Sequence, residues 1–322
     1  MRFGLSMLAL LIGACGSLDQ GPVLDPAGGK GEVGAKAGQL YALYLASVTP
    51  KKRCDPLSGC DLYVEFTRHA SPSDGMSFLE SSQLIDGISL GSTASFNSLI
   101  TVTTAQLLTA EPIIVEVYDA DPVGWFDPHG DDLVAGCTLN IRADQAAPGG
   151  LSPELSCDEG GDRVELRFEV RPILQSAYLI GVTAATLAGS PCEAFSAEGS
   201  PCNYYVDLTV GEARFVSPVA WNLWNGKSFS LDREMALVDV PAGDLELTVG
   251  LWSYAVQPFF AVSKRGRCTV SLTEAELDQA AEHTAEKQIS PTATTCPELH
   301  AQGGSGLSSL TLRYKRVDPP SE

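Results

Sequence analysis

Several things that a catalytic or nucleic-acid-binding chain would carry are missing from these 322 residues. Basic residues are scarce, 21 Lys and Arg against 40 Asp and Glu, a formal net charge of −19. That balance excludes binding to nucleic acid and simple electrostatic adsorption to anionic lipid. There is no Gly-x-Ser-x-Gly, no His-Glu-x-x-His and no phosphate-binding glycine loop, so no familiar enzyme signature is present. The four histidines, His69, His129, His283 and His300, are scattered without ligand spacing. No Cys-x-x-Cys occurs, which argues against a thiolate zinc site. Nor is there a series of long helical patterns. The chain is expected to be a binding or structural protein rather than an enzyme.

What is present begins with a clustering of acid. Residues 39–173 hold 20 acidic and 8 basic residues, and residues 174–316 hold 15 and 10. A solvated acidic face explains the total but not this asymmetry. Within the first of these regions, a β-branched run from Val115 ends in Asp119-Ala120-Asp121, and Asp127, Asp131 and Asp132 follow across an irregular tip carrying Trp125 and Phe126. Five carboxylates so close together repel one another unless a cation sits among them. A second acidic stretch, Cys54-Asp55-Pro56-Leu57-Ser58-Gly59-Cys60-Asp61, flanks a turn and leads into the apolar run Leu62-Tyr63-Val64.

Short β-prone runs separated by Gly, Pro, Ser and Asp recur along the chain, at Leu40–Val48, Leu62–Thr67, Phe96–Thr103, Ile113–Tyr118, Val134–Ile141 and Val164–Val170. They predict an all-β fold of antiparallel sandwiches. The second half repeats the first. Tyr41 to Val48, Cys54 and Cys60-Asp61-Leu62-Tyr63-Val64 match Tyr178 to Ala185, Cys192 and Cys202-Asn203-Tyr204-Tyr205-Val206. Cys137-Thr138-Leu139 matches Cys268-Thr269-Val270, and Cys157 corresponds to Cys296. The repeat divides the chain into two homologous domains, 39–173 and 174–317, with a short tail at 318–322. One helix is expected in the second domain, from the capping box Thr273-Glu274-Ala275-Glu276 to about Lys287. The first domain has a shorter equivalent around Arg142 to Ala147.

The N-terminus has one basic residue and then an apolar stretch too short to cross a bilayer as a helix. It reads as an export signal over residues 1–14. Its end, Ile12-Gly13-Ala14-Cys15, resembles the bacterial lipobox, although glycine is a less usual residue at position 13. The resemblance implies a diacylglycerol on Cys15, a lipid-anchored protein of the bacterial cell envelope and, because Gly16 follows where a retention aspartate would stand, the outer membrane. Residues 16–38 are a small-residue linker. Removing Cys15 from the nine cysteines leaves eight, in an oxidising compartment. The repeat gives each domain a close and a wide pair. The expected bridges are Cys54–Cys60, Cys137–Cys157, Cys192–Cys202 and Cys268–Cys296, with cross-pairing within a domain as the alternative.

The two acidic stretches together resemble the calcium loops of the C2 domain family. Asp55 and Asp61 stand as in its first loop, where an Asp opens a tight turn and another precedes a Tyr-Val strand; Asp119 and Asp121 stand as in its third. The resemblance implies an eight-stranded sandwich with calcium held between loops at one end, and through calcium a phospholipid membrane or an envelope protein partner. Calcium takes six to eight oxygen ligands, which aspartate loops supply. The family's spacing places the last ligand of the third loop at Asp127. Strand entry at Leu133 favours Asp131 or Asp132, of which Asp132 is preferred. Turn formation alone is the competing explanation for these aspartates. In the family, apolar residues at the position of Trp125 and Phe126 enter the bilayer. Packing on the neighbouring domain is the alternative for them. The second domain has Glu193, Glu198 and Asn203 in its first loop and no acid from Leu251 to Arg265, so it is expected to be a calcium-independent interaction or support module. Its aromatics with Lys264, Arg265 and Arg267 are a candidate contact surface. The competing reading of the whole is a structural or adhesive surface protein, stabilised by disulfides and without metal.

Overall fold

In the computed structural model the described residues are 38–52, 59–69, 76–120, 132–142, 144–145, 152–159, 162–188, 202–223, 228–241, 243–255, 261–281, 283–299 and 306–319. They form two tandem antiparallel β-sandwiches. The first contains β1 (Leu40–Lys52), β2 (Cys60–His69), β3 (Met76–Ser81), β4 (Ile85–Ile88), β5 (Ala94–Thr104), β6 (Ile113–Asp119), β7 (Asp132–Leu139), β8 (Glu154–Glu159) and β9 (Asp162–Pro172), with a short helix α1 (Ala105–Ala110). The second contains β10 (Ala177–Ala188), β11 (Cys202–Val210), β12 (Ala213–Val216), β13 (Ala220–Leu223), β14 (Ser228–Asp239), β15 (Leu245–Ala255), β16 (Ala261–Leu272), β17 (Ala285–Ile289) and β18 (Gly306–Val317), with helix α2 (Glu274–Gln279).

The sheets repeat strand for strand. One sheet of the first sandwich runs β5-β1-β9-β8 and the other β3-β2-β6-β7, with β4 also on β2; the second sandwich has β14-β10-β18-β17 and β12-β11-β15-β16, with β13 on β11. The irregularities repeat too. β1 shifts register against β5 between Leu43 and Tyr44, and β10 shifts against β14 between Ile180 and Gly181. The β6–β7 shift between Val117 and Tyr118 recurs between Leu251 and Trp252. A buried serine accompanies each copy. Ser82 Oγ accepts the Val64 N–H at 2.9 Å, and Ser217 Oγ accepts the matching Val206 N–H at 3.0 Å. Their N–H groups donate to the Val64 and Val206 carbonyls, both at 2.8 Å. Bulges of this kind are designed features that bend a strand and fix its pairing.

Strand alternation builds each core. In β6 the inward residues are Ile113, Val115 and Val117, all buried, and in β15 they are Leu245, Leu247, Val249 and Leu251. β1 is apolar on both faces because both are covered. Tyr41, Leu43 and Leu45 enter the first core, while Ala42 and Tyr44 face outward and pack with Leu99, Ile173, Leu179 and Val317. Gln39 Nε2 donates to the Ile173 carbonyl at 2.7 Å, and the Ile173 N–H to the Leu40 carbonyl at 2.9 Å. The two sandwiches therefore belong to one compact unit. An excised first sandwich would expose this apolar seam, so experiments belong on the full chain.

Two expected bridges are present. Cys137–Cys157 joins β7 to β8, and so one sheet of the first sandwich to the other; Cys268–Cys296 ties β16 to the turn segment between β17 and β18. Cys60 is also disulfide-bonded. Its expected partner Cys54, with Cys192 and the Cys202 side chain, lies outside the described residues. Replacing both Cys137 and Cys157 by Ala is expected to cost about 3 kcal/mol, the loop-closure value for a 20-residue separation. A denaturation midpoint unchanged from wild type would show that the bridge does not constrain the unfolded chain.

The expected helix is corrected in length. Its capping box is present, Thr273 with Glu276, but α2 ends at Gln279 and residues Ala285–Ile289 are a strand, not the helix continuing to Lys287. The reason is tertiary. Ala285 and Ile289 pack on the second core along β18, and Lys287 Nζ reaches the Glu276 carboxylate at 2.8 Å and the Ser271 carbonyl at 2.8 Å. Pairing with a strand that buries one face outweighs a modest helix propensity. Near Arg142, the described residues form a turn closed by Gln145, not a helix. Among the described residues no helix is long and apolar enough to cross a membrane.

Candidate functional site

The ends of β2 and β6 bring two of the expected aspartates together. Asp119 continues the inward series of β6, so its carboxylate stands at the open end of the core, 8% exposed. Asp61, 4% exposed, begins β2 beside it. The Asp61 N–H donates to Asp119 Oδ1 at 2.7 Å, and the Ala120 N–H donates to the Asp61 carbonyl at 2.7 Å. Asp61 Oδ1 in turn accepts the Gly87 N–H at 2.7 Å. A buried carboxylate is costly unless its oxygens are hydrogen-bonded, and these backbone donors fix both side chains in place.

Gly59 and Gly87 permit this approach. Gly59 has φ 87° and Gly87 has φ 67°, both in the left-handed region. A Cβ on Gly59 would lie 3.1 Å from the Gly87 backbone. Replacing Asp61 should therefore separate two roles. Asp61→Ala strands the Gly87 N–H and is expected to cost about 2 kcal/mol in metal-free buffer. Asp61→Asn keeps an oxygen acceptor and should cost less than half as much. Equal losses for the two variants, measured by denaturant unfolding, would refute the hydrogen-bonding role.

Asp132 opens β7 directly opposite Asp119 in the strand pairing. Residues opposite one another in an antiparallel pair have Cα atoms about 4.5–5.5 Å apart, so Asp132 joins the same end by register. Asp55, Asp121, Asp127 and Asp131, with Trp125 and Phe126, lie outside the described residues, as do Cys15, Glu193 and Glu198. Among the described residues, no group of three or more acidic, histidine or cysteine side chains is placed to hold a metal. Two oxygen-bearing carboxylates of the right chemistry for calcium are present. The remaining ligands of a six- to eight-coordinate ion would have to come from the segments 53–58 and 121–131.

The second sandwich shows what the sequence comparison missed. Leu62 pairs with Asp119 and Tyr204 with Ser253, so Ser253 occupies the position of Asp119. Ser253 pairs with Ser263 as Asp119 pairs with Asp132. Asp61, Asp119 and Asp132 are thus replaced by Asn203, Ser253 and Ser263. All three changes remove charge and keep an oxygen. The apparent third loop from Leu251 to Arg265 is mostly strand, since β15 extends to Ala255 and β16 starts at Ala261. Only the pairing register reveals the matched serines, because the chain between the strands differs in length from that of the first sandwich.

Just below these ends, each sandwich carries a cross-strand aromatic stack on its outer face. The centroids of Tyr63 and Tyr118 are 5.2 Å apart, and those of Tyr205 and Trp252 are 6.0 Å apart. In the second sandwich Arg214 lies 5.0 Å above the Trp252 ring, and its Nε bonds to the buried Asp207 at 2.5 Å. Asp207 therefore serves as an internal counter-ion. Of the basic residues expected to meet a partner, Arg267 is exposed and its backbone N–H bonds to Glu298 at 3.1 Å. The side chains of Lys264 and Arg265 lie outside the described residues.

No protein-family model matches the chain, and no curated protein matches it. Solved structures that align with it include C2-domain structures. The tandem C2 domains of Extended-Synaptotagmin 2, calcium bound, align at 12% identity over 88% of this chain and 98% of that one, with a TM-score of 0.32. Human GIVD cytosolic phospholipase A2 aligns at 15% identity over 88% of this chain and 33% of its own, at 0.30. A structure described as that of a C2 domain aligns at 15% over 41% of this chain and 98% of its own, at 0.29. At such scores the architecture of this chain is read from its own strand pairing: the described residues form two antiparallel sandwiches of nine strands each and one topology, with Asp61, Asp119 and Asp132 at the end of the first where the second has Asn203, Ser253 and Ser263.

Proposed function

We propose that the first sandwich binds calcium at its aspartate end and, through calcium, docks onto phospholipid or a protein partner. The second sandwich would serve as a calcium-independent support. The observation that carries this reading is the exchange of Asp61, Asp119 and Asp132 for Asn203, Ser253 and Ser263 between otherwise matched sandwiches. If aspartates were wanted only to close turns and accept backbone N–H groups, the neutral copy would do as well. Charge kept at one copy and removed from the other marks a place where charge has a use.

In this reading Asp61 and Asp119 supply ligands from one side, joined by Asp55 and Asp121 and by one or more of Asp127, Asp131 and Asp132. Bound calcium supplies the positive charge that neutralises the loops and offers open coordination positions to a phosphate or carboxylate. Trp125 and Phe126 would then enter the acyl region. We place the chain in a bacterial envelope, anchored through acylated Cys15, and assign it no catalytic activity. A second reading, a metal-free structural or adhesive surface protein, is favoured by one observation. Both described carboxylates already accept backbone N–H groups, at 2.7 Å each.

Sedimentation with phosphatidylserine–phosphatidylcholine vesicles tests the choice. The full chain lacking only the export signal and Cys15 should pellet in calcium and return to the supernatant with chelator. Pelleting to the same extent with and without calcium, or none in either, would sink the calcium-dependent reading and favour the second.

A further inference from the structure

Apart from the aspartate end, a concavity of mixed chemistry lies among the described residues where the two sandwiches meet. It has a volume of about 560 Å³ and is bounded by Tyr44 and Arg171 from the first sandwich, Leu174 from the connection, and Phe215, Val238 and Asp239 from the second. Ligand sites favour such junctions, and volumes of roughly 300–1,000 Å³ suit small molecules. The apolar wall has an uncovered component. Leu174 is 71% exposed, more than any other large hydrophobic residue among those described, and Val240, just beyond Asp239, is 40% exposed.

The charges at this cleft are not equivalent. Arg171 is neutralised: its Nη2 donates to Glu169 at 2.6 Å, and its guanidinium lies 4.4 Å above the Tyr44 ring. Burial pushes the Tyr44 hydroxyl up from its ordinary pKa, with Arg171 acting in the opposite direction, so this group stays neutral. Asp239 is exposed, and although its backbone is opposite Ala177 in the β10–β14 ladder, its carboxylate makes no hydrogen bond or ion pair among the described residues. Among the described residues, the charge at the cleft left without a partner is therefore one carboxylate beside an apolar wall, in a protein whose formal net charge is −19.

We propose that the cleft binds a small amphipathic amine, its cationic head on Asp239 and its apolar body against Leu174, Val238 and Phe215. An anionic amphiphile of the same shape would meet Asp239 unpaired and find Arg171 already occupied by Glu169. A neutral one would fill the wall without using the carboxylate. The site is independent of calcium, because the strand ends that form it are opposite to those carrying Asp61 and Asp119: β1 contributes Tyr44 near its start, β9 contributes Arg171 near its end, and β14 ends at Asp239.

Calorimetric titration of the full chain, in chelator and at low ionic strength, with 3-phenylpropylamine and separately with 3-phenylpropionate tests this. The amine should bind saturably at one site and at least about ten-fold more tightly than the carboxylate. Asp239→Asn should weaken the amine about five-fold and reduce its preference over the carboxylate, with an unchanged melting temperature. Leu174→Asn should weaken both probes. Equal affinity for the two probes, no saturable binding of the amine, or an Asp239→Asn variant that binds it like wild type would overturn the proposal. Repetition in calcium should give the same amine affinity; a change would place the probe at the aspartate end instead. Loss of calcium-dependent vesicle binding would leave this result untouched, so the two readings fail separately.

Discussion

Calcium at about a hundred times its dissociation constant should raise the melting temperature of the full chain by about 5–10 °C, and Asp119→Asn should abolish that rise. A ligand that binds only the folded state adds about 2.7 kcal/mol at that excess, and a kilocalorie shifts the midpoint of a domain of this size by about 2–4 °C. The Asn variant separates metal from fold. It retains an Oδ1 able to accept the Asp61 N–H, now made at 2.7 Å, but it brings no negative charge. Its calcium-free melting temperature should therefore stay within about 2 °C of wild type. Magnesium should give a much smaller shift, since it demands a tighter octahedral shell than flexible aspartate loops provide. A wild-type chain whose midpoint is indifferent to calcium, or an Asn variant that retains the full shift, would remove Asp119 from the site.

Gly181→Ala should destabilise the second sandwich by about 3 kcal/mol, lowering its midpoint by roughly 10 °C. Gly181 sits at the register shift between β10 and β14, and a Cβ there would lie 1.8 Å from the Arg233 carbonyl oxygen and 2.8 Å from its carbon. Both atoms are backbone, so no rotamer change relieves the clash; the bulge itself must open. At the same place in the first sandwich stands Tyr44, whose side chain has room because it turns outward onto the other sandwich. The prediction thus tests the bulge and not glycine content in general. A loss under about 0.5 kcal/mol in denaturant unfolding would mean that the strands part there without cost.

Much of the architecture can be read from residues alone. Alternation in runs such as Ile113–Tyr118 marks strands because one face must be buried. Four cysteines recurring in order with the same neighbours mark a repeat, and of the pairings it allows the structure has the expected wide bridges Cys137–Cys157 and Cys268–Cys296. Short strands are less legible. Met76–Ser81 and Ile85–Ile88 are too brief and too mixed to show a period, and they exist because β2 offers them an edge. Helix propensity misleads at Ala285–Ile289, where β18 supplies a partner.

The candidate site divides in the same way. Sequence by itself determined which residue types are available: carboxylates grouped around Asp55–Asp61 and Asp119–Asp132, an N-terminal segment resembling a lipid-attachment signal, and the overall acidity. Composition and local spacing are enough for that, because charge and periodicity belong to the chain whatever its path. Only the tertiary structure decided which of these groups meet. It set Asp61 and Asp119 within one hydrogen bond, put Asp132 opposite, and placed Asn203, Ser253 and Ser263 at the corresponding points. It also made a cleft from Arg171, Leu174 and Asp239. Such encounters depend on strand register and on how two sheets close over a core, and a shift of one residue in register would turn Asp61, Asp119, Asn203 and Ser253 to the other face.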